Sequence, residues 1–453
     1  MSIVTGLKKN MGIKERLATA ESGFMELKSL GRDPSSLQFD NMKSPTEVTL
    51  EGRPMTLFGT NNYLGLTFDE GCLNAAAEAV RGQGTGTTGS RIANGSYSSH
   101  TALEREIASF YDKRYSMLFS TGYTANLGMI SVLGDKDDYL VIDTDSHASI
   151  YDGCKMSNAE VVRFRHNSPE SLAKRLNRLE GTPGDKVVII EGLYSMLGDT
   201  APIDEFVAVK KEAADDNVYL LVDEAHSLGV YGASGRGKSQ ADNVDQEVDF
   251  IVGTFSKSAG TTGGFCVSNL ENFNTLRFLS RPYMFTASMT PSAIATAHIA
   301  FEIMASRPHL KQNLWKNSNH LYNGAKSLGF RVGPEVSPIV AVILPDPATA
   351  VVFWNRLIDE GIYTNIAVPP VTPGNLSLLR VSISATHTEE QIIHALDVME
   401  SVGVELGIIE KKTKVVPLAN SRELRVVTAD GVRSEGDKKP AEPQSKGSAA
   451  PKA

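Results

Sequence analysis

The sequence predicts an α/β protein, with a large domain built on a mostly parallel sheet and a smaller C-terminal α+β domain. Two observations carry this. Short β-rich runs recur between helical stretches, at Ser116–Phe119, Tyr139–Ile142, Lys186–Ile190, Val218–Val222 and Asp249–Val252, and several are apolar at consecutive positions, as strands buried on both faces must be. From about Pro291 the texture changes to a long helical stretch and then to the runs Ile339–Leu344 and Leu378–Ile383. A helix follows, opened by the Thr388-x-x-Gln391 capping box.

The two ends differ from this body. Ile13, Leu17, Ala20, Phe24 and Leu27 are spaced four, three, four and three apart, one stripe of an amphipathic helix over residues 10 to 31. The stripe is expected to pack on the body or on a sister subunit, since helices that lie on membranes carry a stronger basic face. Ser434–Ala453 holds no apolar residue larger than alanine and cannot offset the entropy of ordering it. The expected organisation is an N-terminal helical arm (1–43), a large domain (44–290), a small domain (291–411) and a mostly disordered tail (412–453).

A chain of 453 residues with 41% apolar and 22% charged side chains can bury a large core. A formal charge of −8, with basic residues only in short runs such as Lys8-Lys9, argues against a nucleic-acid partner. Cys72, Cys154 and Cys266 are too far apart for a metal knuckle and too few for a disulfide framework, which fits a reducing cytoplasm. No stretch approaches the ~20 apolar residues of a membrane span. Any membrane contact would therefore be peripheral.

One motif is a decoy. Gly232-Ala-Ser-Gly-Arg-Gly-Lys238-Ser239 matches the literal phosphate-loop pattern. A true phosphate loop joins a strand directly to the helix that binds phosphate, whereas here Asp223 to Tyr231 intervene and no apolar helical stripe follows. It is read as a glycine-rich surface loop. The stronger signal is Val222-Asp223-Glu224-Ala225-His226 together with Gly253-Thr254-Phe255-Ser256-Lys257-Ser258. Each follows a strand, and ligands gather at the carboxyl ends of parallel strands. An acid and a lysine converging there meet the needs of pyridoxal 5'-phosphate (PLP) chemistry. The lysine must lose a proton to form a Schiff base, which desolvation or a cationic neighbour promotes, and the acid keeps the pyridine ring an electron sink. Ser120 to Asn126, after the first run, offers the helix start and hydroxyls that a phosphate requires; Thr254 and Ser256 add hydroxyls.

The segments Ser120-Thr-Gly-Tyr123, Asp145-Ser-His147-Ala-Ser-Ile-Tyr-Asp-Gly153, Val222-Asp-Glu-Ala-His226 and Gly253-Thr-Phe-Ser-Lys257 resemble the α-oxoamine synthases, a branch of the fold-type-I PLP-dependent transferases. The resemblance spans residues 44 to 405 and implies a large domain with a seven-stranded sheet. It implies that Lys257 carries the cofactor and moves the Cα proton, that Asp223 pairs with the ring nitrogen and His226 with the ring hydroxyl, and that His147 stacks on the ring. It further implies phosphate binding by Gly122, Tyr123, Thr254 and Ser256, with Thr286 reaching the phosphate of a sister subunit in a homodimer with shared active sites. Arg380 would bind the amino-acid carboxylate, a task suited to a bidentate guanidinium, with Asn62 and His147 beside it.

Lys43-Ser-Pro-Thr-Glu47, Ser195-Met-Leu-Gly-Asp199 and Arg281-Pro-Tyr-Met-Phe-Thr-Ala-Ser288 resemble the bacterial members that condense L-serine with a long-chain acyl-coenzyme A or acyl-carrier-protein thioester. The product so implied is 3-oxosphinganine. The sequence departs from that pattern at Val368, where an arginine would precede the Pro-Pro pair, and at Asn61, where a tyrosine would stand. The alternative is a sister enzyme using glycine or alanine. An inactive partner subunit of the same fold would lack the lysine, which is present.

Overall fold

The computed structural model describes residues 11–411, apart from 35, 370 and 371, together with short strands between 415 and 432. The chain divides after Ile409 into two compact units. In the first, seven strands form one sheet: β1 (Tyr115–Phe119), β2 (Tyr139–Asp143), β3 (Glu160–Phe164), β4 (Lys186–Glu191), β5 (Val218–Asp223), β6 (Phe250–Thr254) and β7 (Gly264–Ser268). Their spatial order is β1-β7-β6-β5-β4-β2-β3. β2 to β6 pair in parallel, and β7 runs antiparallel between β1 and β6. Every position of β4, β6 and β7 is buried, which explains their unbroken apolar runs.

All five predicted strands are present with ends shifted by at most two residues. The seven strands implied by the resemblance are present, but β3 and β7 are not among the runs legible in the sequence. β3 is a charged edge strand, exposed at three of its five positions, so it lacks the apolar signature. β7 begins at Gly264, where a Cβ would come 2.5 Å from the carbonyl oxygen of Thr121; only glycine lets the two backbones approach so closely.

The sheet matters for function because of what its carboxyl edge carries. Adjacent parallel strands β2, β4, β5 and β6 end in Asp143, Glu191, Asp223 and Thr254. Helices Gly122–Leu133 and Ala148–Met156 start just past the carboxyl ends of β1 and β2, with their N-termini at the same edge.

C-terminal to this body, Ile339–Leu344 and Ser377–Ser382 pair antiparallel at the centre of a four-stranded sheet flanked by Arg331–Val332 and Asn365–Ala367. The capping box is formed: Gln391 N–H donates to Thr388 Oγ1 at 3.2 Å and Thr388 N–H to Gln391 Oε1 at 3.1 Å. The strands Phe39–Ser44, Glu47–Leu50 and Arg53–Leu57 make a meander whose last strand pairs in parallel with Ile362–Tyr363. Thr56 and Leu57, in the stretch expected with the large domain, thus pair with a C-terminal strand, a contact across some 300 positions that no local pattern announces.

The N-terminal helix spans Ile13–Ser29. Ile13 and Leu17 are 68% and 65% exposed, so that end of the stripe does not pack on this chain's own body. The side chains of Phe24 and Leu27 lie outside the described residues. In the second unit, Val415–Val416, Arg425–Thr428 and Gly431–Val432 pair as short antiparallel strands. Ser434–Ala453 lies outside the described residues. Among the described residues no helix is long and apolar enough to cross a membrane.

The decoy loop has a physical explanation. Its anion site is filled from within by Glu224, a buried carboxylate that accepts the amides of Lys238 (2.9 Å) and Ser239 (2.8 Å) and the hydroxyls of Ser227 and Ser239. Gly192 and Gly237 close around it: a Cβ on either would lie 2.2 or 2.4 Å from Glu224 Oε2. Removing the carboxylate strands those donors, and buried donors without acceptors are costly. Glu224→Ala should therefore lose about 3 kcal/mol of stability, read from the denaturant midpoint. ATP should not raise the melting temperature of the unaltered protein; an ATP-dependent rise would show that the loop takes an external phosphate.

Candidate active site

A cavity of about 240 Å³ opens at the carboxyl edge of the sheet, and Gly122, Tyr123, His147, Asp223, His226, Thr254, Ser256 and Lys257 all line it. Eight of the positions singled out in the sequence thus come together. Asn126, Ser149 and Glu191 line it too. The first two sit inside motifs already quoted, where an amide and a hydroxyl gave no sign of their role; Glu191 ends the apolar run of β4, and only its placement could have marked it.

Lys257 is half-buried, and its ammonium has neither hydrogen bond nor ion pair among the described residues. Desolvation lowers its pKa to about 8, with Asp223 and Glu191 opposing and Arg380 adding to the drop. No ion pair joins Lys257 to Asp223 among the described residues, and the Asp223 oxygens accept from two neutral donors. Asn126 Nδ2 donates to Oδ2 at 2.7 Å and the Ala225 amide to Oδ1 at 2.9 Å. Asn126 Nδ2 also reaches Ser149 Oγ (2.9 Å), which contacts His147 Nδ1 at 2.7 Å. One polar chain therefore links the acid to the histidine.

His147 caps helix Ala148–Met156, and its backbone amide donates to the buried carboxylate of Glu191. Burial, and then the charge of Asp223, push the Glu191 pKa well above the usual carboxylate range. Burial lowers His147, against Asp223 and with Lys257. His226 is buried, and desolvation followed by the Lys257 charge holds it well below its ordinary value, so its ring is neutral at physiological pH.

PLP would be held here, and the residues fit it. The phosphate end needs free amides at a helix start. Helix Gly122–Leu133 supplies them: Thr121 caps it by accepting from Thr124 N–H at 3.0 Å, and the amides of Gly122 and Tyr123 have no partner among the described residues. A Cβ on Gly122 would lie 2.6 Å from Thr254 Cβ, so only glycine allows the helix start to meet the Thr254 and Ser256 hydroxyls, themselves 2.9 Å apart. Tyr123 is 43% exposed, with its hydroxyl bonded to Asp152.

Three expected residues lie outside the cavity lining. Arg380, in strand Ser377–Ser382, is buried and bonds three neutral oxygens: the Ser195 carbonyl, Ser382 Oγ (2.8 Å) and Asn61 Oδ1 (3.0 Å). Asn61, the departure from the family pattern, thus carries part of the guanidinium. Asn62 is buried, donating to Thr67 Oγ1 at 2.7 Å. Thr286 faces a separate small cavity with Arg91 and Tyr283. A neighbouring cavity of about 270 Å³ shares His147 and reaches Ser195 and Thr372. On its wall His166 bridges Asp143 (2.9 Å) and Asp199 (2.6 Å). Burial alone would lower its pKa, but the two carboxylates outweigh it and raise it to about 10. Among the described residues, Asp143, Asp145 and His166 lie close enough together to resemble a metal-ligand set, and this ion pair already joins two of them.

A buried acid, an unpaired lysine and a helix-start phosphate cradle on this sheet define a fold-type-I PLP-dependent enzyme. The family model for aminotransferases of class I and II matches residues 53–399. The chain belongs to that family, on its serine palmitoyltransferase branch. It is 51% identical to the serine palmitoyltransferase of Caulobacter vibrioides, over 88% of this chain and 98% of the other, and 48% identical to that of Sphingomonas paucimobilis, over 83% and 89%. A solved structure of SPT with PLP internal aldimine superposes with a TM-score of 0.85 at 45% identity, covering 88% of this chain and all of the other. At 35% identity, over 80% of this chain and 92% of the other, stands an 8-amino-7-oxononanoate synthase of Lysinibacillus sphaericus.

The lowered Lys257 pKa has a measurable consequence. Only the neutral amine can attack an aldehyde, so cofactor loading of the cofactor-free protein should accelerate as pH rises and level off above about 8. A midpoint near the ordinary lysine value would mean that the amine is not desolvated.

Proposed function

We propose that this chain condenses L-serine with a long-chain acyl thioester, palmitoyl-coenzyme A or a carrier-protein equivalent, to give 3-oxosphinganine, the first step of sphingolipid synthesis. The observation that carries the reading is the unpaired Lys257 amine sharing a cavity with an Asp223 carboxylate that other donors already engage. When bound, PLP supplies an electron sink for negative charge at the amino-acid Cα.

Lys257 would hold the cofactor covalently through Nζ and, once released, take the Cα proton and later return one. An amine poised near 8 suits both directions. Asp223 would face the ring nitrogen, His226 the ring hydroxyl, and Gly122, Tyr123, Thr254 and Ser256 the phosphate. His147 would lie against the ring. Arg380 has no carboxylate partner within the described chain, so its charge is available to the serine carboxylate. Together with His147 it would turn the bond to be broken perpendicular to the ring. A carbon–carbon bond then forms between Cα and the acyl carbonyl carbon, the thiol leaves, the serine carboxylate departs as CO2, and Cα is reprotonated. Asn62, expected beside the substrate carboxylate, is bonded to Thr67.

The active unit would be a homodimer with shared sites. Thr286 does not line the Lys257 cavity of its own chain, and it lies near a segment where Phe278, Leu279 and Phe285 are 70%, 59% and 73% exposed; a sister subunit would cover them and bring Thr286 to its phosphate. A cytoplasmic location, with membrane contact limited to the inner surface, accords with three buried free cysteines.

The second reading, a sister enzyme acting on glycine or alanine, draws on the 8-amino-7-oxononanoate synthase relative. Titrating the purified protein with each amino acid decides between them. The visible cofactor band should respond best to serine, and Lys257→Ala should cut turnover by about 10²–10⁴-fold. A response to glycine or alanine but not serine would move the protein to the sister activity. Absence of a cofactor band would remove the PLP reading altogether.

A further inference from the structure

Tyr63 was given no role in the sequence and does not line the cavity, yet it is fully buried with its hydroxyl 2.7 Å from His226 Nδ1. The hydroxyl has one proton and two acceptors within reach, because Asn61 Oδ1 lies 3.4 Å away. Hydrogen bonds from hydroxyls have their optimum near 2.7–2.8 Å and weaken with distance. Asn61 Oδ1 moreover already accepts from Arg380 Nη2 at 3.0 Å. The proton therefore goes to His226.

We infer that Tyr63 is a positioning residue that fixes His226 as the tautomer with its proton on Nε2, so that the ring presents one N–H donor to the cavity. Four observations support this. Nδ1 is occupied by Tyr63, whereas Nε2 has no protein partner among the described residues and His226 lines the cavity. A neutral imidazole must have one donor and one acceptor nitrogen, and burial keeps this ring neutral. Tyr63 keeps its proton, since burial raises its pKa to about 12 against the nearby Arg380. The alternative, Nδ1–H donating to Tyr63, would leave Nε2 a bare acceptor facing the cavity and force Tyr63 onto the long, shared contact with Asn61.

The inference rests on the PLP reading for its purpose, as an Nε2–H donor suits the cofactor's ring oxygen, but not for its geometry. The same hydroxyl lies 3.4 Å from Asn61 Oδ1, which accepts from Arg380 Nη2 at 3.0 Å.

The test is the nitrogen chemical shifts of isotope-labelled histidine in the cofactor-free full-length chain at neutral pH, with the His226 signals assigned by their loss in His226→Gln. The expected result is a pyridine-type Nδ1 and a pyrrole-type Nε2 in the unaltered protein, moving toward a mixture in Tyr63→Phe. PLP affinity of that variant should fall by roughly two- to tenfold, the worth of one hydrogen bond. A pyrrole-type Nδ1 in the unaltered protein overturns the inference without any variant being needed, which covers the case in which Tyr63→Phe does not fold. Unchanged His226 shifts in a folded Tyr63→Phe also overturn it. A protein that binds no PLP would fail the functional reading instead, and the shifts of the cofactor-free chain would still decide the tautomer.

Discussion

The site depends on keeping a lysine amine and a carboxylate in one cavity without letting them neutralise each other. Left alone, Asp223 and Lys257 would form an ion pair and the amine would stay protonated. Instead, Asn126 and the Ala225 amide hold the Asp223 carboxylate without an ion pair to the lysine, and desolvation brings the lysine to about 8. The sheet makes this arrangement possible: β5 and β6 are neighbours in parallel register, so Asp223 at the end of one and Lys257 just beyond the other open onto the same edge.

Much of the surrounding structure serves that edge. Successive residues at a strand end point to opposite sides, and Asp223 and Glu224 use the alternation. Asp223 faces the cavity, while Glu224 turns away and ties down the glycine-rich loop of 232–239 through two amides and the Ser239 hydroxyl, with the Ser227 hydroxyl as a further donor. The loop is thus an internal anion cradle that anchors the strand end, which accounts for its phosphate-loop spelling. On the other flank, Glu191 accepts the His147 amide and His166 bridges Asp143 to Asp199, joining the loops that follow β2 and β4.

The sequence was most informative where chemistry demands particular residue types at strand ends. Lys257, Asp223, His226, His147 and the Gly122–Tyr123 helix start were all legible, because a strand followed by a reactive side chain is a local pattern. Asn126, Ser149, Glu191 and Tyr63 were not, since an amide, a hydroxyl, a carboxylate and a phenol acquire meaning only from what they touch. Arg380 shows both sides. The family resemblance assigned it a substrate carboxylate, whereas its three neutral hydrogen bonds, one of them to Asn61 from more than 300 positions away, became visible only in three dimensions.

By itself, then, the sequence determined the parallel sheet, through apolar runs that only double-sided burial explains, and marked side chains that the fold gathers in one cavity. The tertiary structure alone decided which groups face one another. It set the meander of 39–57 against Ile362–Tyr363, filled the decoy loop with Glu224, and left Ile13 and Leu17 uncovered by their own chain. The physical reason is range: burial periodicity and turn chemistry act over a few residues and are written in order along the chain. Hydrogen-bond partners and desolvation depend on segments that meet only after the chain has folded.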